Sequence, residues 1–156
     1  MTFSKYLNST AIICLLFVTA CDNDNTISDI DFTEIVSGNT TLDGSLANKK
    51  IEVFTDQASL NASLALYINL VTEHDVDFTT RRAVLLSMGG RNTGGYSIAA
   101  EAIEDHTDYI KLKVLLSKPG DNCFTTQALT SPYQFIEFQS LKEPLFEERV
   151  EVIDCN

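Results

Sequence analysis

The run Ala83-Val84-Leu85-Leu86-Ser87-Met88 constrains this chain more than any other segment. It is continuous and apolar, and Gly89-Gly90 ends it at once. A run this short does not make a helix, and its lack of alternation leaves no face for water. It reads as a strand buried on both faces, so neighbouring segments have to cover it twice.

The flanking sequence supplies the cover. Ile110, Leu112, Val114 and Leu116 alternate with Lys111 and Lys113, the pattern of a strand with one wet face. Lys50–Phe54 alternates as well, with Ile51 and Val53 on one side and Glu52 and Phe54 on the other. The period then changes. Leu60, Leu64, Tyr67, Ile68 and Val71 recur at helical spacing, and Thr55 or Asp56 can cap the first free amides, which predicts a helix over 56–70. Further strands are expected at 32–37, from Tyr96 through Ile98 and Ala100 to about Glu104, at 134–139 and at 150–153. Turns fall at 38–48, Asp105-His106-Thr107 and Pro119-Gly120-Asp121. About seven strands and one helix make an α+β fold, mostly β. The simplest packing is a mostly antiparallel sheet with the helix on one face, and a small β-sandwich or barrel with one packed helix is its neighbour.

Composition excludes some functions. The 156 residues carry 22 acidic and 11 basic side chains, for a net charge of −11, which disfavours gripping nucleic acid. At 44% apolar the chain has material for a real core.

The first twenty residues look like an address. Lys5 precedes the apolar run 11–18, which is too short to span a bilayer. Val18-Thr19-Ala20-Cys21 resembles the bacterial lipoprotein box, which implies cleavage before Cys21 and acylation of that cysteine. The expected organisation is a signal peptide at 1–20, an acidic tether at 21–31 and one globular domain at 32–156. Two or more acyl chains hold a protein stably on a membrane without spanning it. The expected location is the bacterial envelope, on the periplasmic side or the cell surface. Asp22 and Asp24 read as a solvated spacer, because the calcium-loop pattern is absent.

Cys14 leaves with the signal and Cys21 carries lipid, so Cys123 and Cys155 remain as an even pair outside the cytosol. They are expected to form a disulfide.

Three blocks in order then resemble the C-terminal domain of the protease complex subunit PrcB family. They are Val76-Asp77-Phe78; Gly89 to Ile98, with Asn92, Thr93, Gly94, Gly95 and Tyr96 at its centre; and Pro119-Gly120 followed by the run from Thr126 to Tyr133. The resemblance covers roughly residues 50–140. It implies a small β-rich secreted or lipid-anchored domain, in a family named for a lipoprotein that accompanies a surface protease complex. Two loops, with Asn92, Thr93, Gly94, Gly95, Tyr96, Gln127, Thr130, Ser131, Pro132 and Tyr133, are the candidates for binding a partner. They read more readily as two loops packed on each other. The run Asn92–Tyr96 also resembles, over five residues, the threonine-glycine-tyrosine loop of chagasin-type protease inhibitors.

Catalysis finds little support. His74 and His106 sit beside acids in expected turns, with no nucleophile elbow, phosphate loop or metal-binding spacing nearby. Arg81-Arg82 is expected to form a surface charge cluster with Asp75 or Asp77. The leading expectation is a non-enzymatic, lipid-anchored subunit with no cofactor and no metal, binding or stabilising an envelope protein, with a protease as the named candidate. A loop-mediated protease inhibitor is the second reading and a hydrolase the third.

Overall fold

The structure is a computed structural model that describes residues 27–40, 47–68 and 74–155. The expected signal segment, Cys21, the first part of the expected tether, residues 69–70 of the expected helix and Val71 lie outside the described residues.

The elements run β1 (Ser28–Asp29), β2 (Phe32–Thr40), β3 (Lys50–Phe54), α1 (Gln57–Tyr67), β4 (Arg82–Ser87), β5 (Ser97–Asp105), β6 (Tyr109–Pro119), β7 (Ser131–Phe138) and β8 (Glu143–Ile153). They form two four-stranded sheets, β1-β5-β6-β8 and β2-β7-β4-β3. The fold is therefore α+β and mostly β, a sandwich rather than a closed barrel.

β4 behaves as its sequence demands. Val84 and Leu86 face the space between the sheets, with Ile110, Leu112, Val114, Ile136 and Phe138. Ala83 and Leu85 face the other way, toward α1. The helix buries Leu60, Leu64 and Tyr67, one stripe at 4- and 3-residue steps. Asp56 caps it, accepting from Ser59 N–H at 2.9 Å. Tyr67 meets Phe135 edge-on at 5.5 Å and Tyr133 at 5.0 Å, so an aromatic cluster seals helix to sheet. Gln57 ties down the chain beyond the helix. Its amide donates to His74 O at 2.7 Å and its carbonyl accepts from Val76 N–H at 3.0 Å.

Several boundaries differ from the sequence reading. β5 carries a bulge between Ala100 and Ala102. The extra residue shifts the phase, so Ile98 and Ile103 both point inward although one is even-numbered and the other odd. The last strand begins at Glu143, not Val150, and lies parallel to β6 over eleven paired positions. β7 sits in the opposite sheet between them and provides the crossover that a parallel pair requires. The expected tether ends early, since Ser28–Asp29 pairs with β5 and Ile30 N–H donates to Ile103 O at 2.8 Å. β2 runs on to Thr40, past its expected end at Ser37.

Two polar links close the sides of the sandwich. Buried Gln134 accepts from Ala100 N–H at 2.7 Å and donates to Glu34 at 2.7 Å, joining both sheets. On the other side, Lys49 pairs with Glu148 of β8.

Candidate functional site

The strand directions give the sandwich two unlike ends. β1 pairs beside Asp105, at the β5–β6 hairpin, so the chain enters at that end. Ser97, Pro119, Ser131 and Ile153 terminate their strands at the other. The eight steps of β5 separate the two by about 26 Å at ~3.3 Å per residue.

Both suspected loops lie at the far end, and they are joined. Arg91 N–H donates to Thr130 O at 2.7 Å and Thr130 N–H returns to Arg91 O at 3.0 Å. Gly94 N–H donates to Thr126 O at 3.0 Å, and the Thr130 hydroxyl donates to Thr93 O at 3.0 Å. A side chain at Gly94 would collide with Thr126 Oγ1. Gly95 has a φ of +89° and lies against Pro119, a conformation and a fit that favour glycine. Arg91 stands 5.6 Å from the Tyr96 ring centroid, a cation–π distance.

The ten loop candidates divide by position. Asn92, Gly95 and Gln127 are exposed, while Thr93, Gly94, Tyr96 and Thr130 are half-buried. Ser131, Pro132 and Tyr133 are buried residues of β7. Pro132 O accepts from Met88 N–H at 2.9 Å and Tyr133 belongs to the aromatic cluster under α1. Burial raises the Tyr133 phenol above its ordinary value. These three side chains are packed into the platform beneath the loops.

Sequence reasoning missed the most exposed part of this end. Cys123 and Cys155 are joined, as the cysteine count implied. Next to that bond Phe124 is fully exposed. A cavity of about 460 Å³ opens beside it, lined also by Gly95, Ser97, Pro119, Thr125 and Ile153. The available signal was an aromatic residue set in a polar turn, where no strand period calls for it.

Elsewhere many of the charges are paired. On the outer face of β5, β6 and β8, Glu104 meets Lys113 at 2.5 Å and Lys111 at 3.8 Å, and Glu101 meets Arg149 at 2.6 Å. The Lys113 hydrogen bond is the main reason the Glu104 carboxyl is held below its ordinary range. Arg81 pairs with Glu137 at 3.0 Å rather than with Asp75 or Asp77, because β7 brings that carboxylate beside it. Asp77 instead accepts from the Thr79 and Thr80 hydroxyls. His74 lies 3.6 Å from Glu137 and His106 lies 3.5 Å from Glu104, stacked on Tyr109. Among the described residues no group of three or more His, Cys, Asp or Glu is placed to hold a metal ion.

Residues 83–139 match the family model described as PrcB C-terminal. The match takes in β4 through β7, with both joined loops, and leaves out Val76-Asp77-Phe78 and β8. No curated protein and no solved structure matches the chain.

Proposed function

With residues 83–139 matching the PrcB C-terminal family model, we propose that this chain is a lipid-anchored, non-enzymatic subunit that docks on a protease complex of the bacterial envelope. Cys21 takes the lipid in this reading, and the spacer to Ile27 reaches up to about 20 Å. The observation that carries the reading is the polarity of the sandwich. The joined loops stand at the end opposite the entry of the chain. A body anchored at one end would hold them outward, clear of the lipid surface. The acidic character of the chain, −12 once Lys5 is lost (10 basic against 22 acidic residues), supports standing off from anionic lipid.

Two measurements test this. Mass spectrometry of the membrane form should find Cys21 acylated, and Cys21→Ser should release the protein from membranes. Crosslinking in cells, then isolation of the full chain, should recover an envelope protease in stoichiometric amount. Recovery of the chain alone, with no partner changing in abundance on deletion, sinks the reading.

The single projecting end also favours a second reading, inhibition through the joined loops. The purified protein would then slow a papain-like or serine protease, and Gly94→Glu would abolish the effect by forcing the loops apart.

A further inference from the structure

Phe124 has no covering contact, although its loop is firmly held. Gly120 N–H donates to Ile153 O at 2.9 Å and Cys123 N–H donates to Gly120 O at 3.0 Å. The Cys123–Cys155 bond ties the same loop to the end of β8. The ring is therefore presented in place, and little ordering remains to oppose binding. It forms one wall of the 460 Å³ cavity, and the partly exposed Ile153 forms another. That volume falls in the range of about 300–1,000 Å³ usual for ligand clefts. A large apolar side chain exposed beside an apolar hollow marks a contact surface.

The charges nearby select the occupant. Glu151 is the register partner of Ser117, which lines the cavity, so it sits on the same face. Asp154 lies against Gly120, with Oδ1 2.8 Å from where a Cβ would stand, and exposed Asp121 follows Gly120. Neither Asp121 nor Asp154 has an ion-pair partner among the described residues. Lys118 alternates to the inner face with Leu116, and Arg149 is engaged by Glu101. The rim is acidic. A second copy would set like charges against each other, and an anionic lipid surface would be repelled.

We propose that the cavity beside Phe124 docks an apolar segment of a partner protein flanked by lysine or arginine. This rests on the docking role above and names the chemistry of what docks.

The test uses the full chain in non-ionic detergent and two fluorescein-labelled peptides, Lys-Lys-Leu-Phe-Leu-Lys-Lys and Glu-Glu-Leu-Phe-Leu-Glu-Glu. The lysine peptide should bind about ten-fold or more tightly than the glutamate peptide at low salt, with the gap closing at high salt. Phe124→Ser should weaken it about ten-fold while leaving the urea midpoint unchanged. The double variant Glu151→Gln, Asp154→Asn should erase the preference and keep residual apolar binding. Equal binding of the two peptides, binding indifferent to Phe124→Ser, or no binding at millimolar peptide overturns the proposal. So does Phe124-dependent dimerisation, or Phe124-dependent binding to phosphatidylglycerol vesicles in place of the peptide. The peptide readout needs neither acylation nor a protease, so it fails separately from the envelope-subunit reading.

Discussion

β4 and β6 are both inner strands of their sheets, yet they live in different surroundings. β4 lies between the sandwich interior and α1, and its residues from Ala83 to Ser87 are all buried. β6 has cover on one side only, so Ile110, Leu112, Val114 and Leu116 are buried while Lys111 and Lys113 reach water. The third layer accounts for the difference. Where the helix is laid on, a sheet becomes core throughout. Where it is missing, a charged lattice takes its place. That lattice thins toward the loop end, where Ser117, Pro119, Ile153 and Phe124 replace the ion pairs. The uncovered face thus carries both the solvation of the domain and its candidate contact.

The contrast is open to attack by substitution. Phe135→Ala, beneath the helix, should cost about 3–5 kcal/mol in urea unfolding, whereas Lys113→Ala should leave the midpoint close to the parent's. Similar losses at the two sites would erase the distinction between covered and uncovered sheet. Cys155→Ser should cost about 3.7 kcal/mol by the loop-entropy account, since the bond spans 32 residues. Its larger signature should be faster amide exchange in 120–126, while the residues around Tyr67 and Phe135 stay protected. Gly89 has a φ of +71°, and a Cβ there would stand 2.5 Å from the Asn48 carbonyl carbon. Gly89→Ala should therefore cost about 1–3 kcal/mol, again by urea titration.

The smallest effect should come from pH. The Glu104 carboxyl lies below its ordinary value of 4.5, chiefly through the Lys113 hydrogen bond. A carboxyl lowered by folding stabilises fully above its unfolded value and loses that stabilisation as pH falls through the folded one. Lys113 is raised above its ordinary 10.5 by the same bond, so its contribution holds below that value and fades as pH climbs through the raised one. The unfolding midpoint should sag at both limits, and Glu104→Gln should flatten the acid side. An unchanged acid limb in that variant would remove the lattice from the account.

Much of the fold was legible because its patterns are local. The alternation in β6, the cap and stripe of α1 and the unbroken run of β4 each state their surroundings within a dozen residues. The cysteine pair was legible by elimination. The bulge at Glu101 was not, since an inserted residue looks like any other until its partner strand is known. Nor was β8. Glu147, Glu148 and Glu151 break its apolar pattern, and its pairing is with a strand more than thirty positions earlier. Tyr133 was misplaced because a polar stretch beside a proline resembles a loop, and only α1 packed above it makes it core. Phe124 went unnoticed because exposure is a property of the folded surface.

The two-residue pairing of β1 sets how this domain takes strain. Traction transmitted through the residues before Ile27 falls first on Ser28–Asp29 and on the single Ile30 bond beyond them. Those few bonds would peel one after another, releasing up to about 14 Å of slack from four residues. The eleven-pair junction of β6 with β8 would still be unloaded, and the joined loops at the far end would keep their hydrogen bonds while the near end gave way.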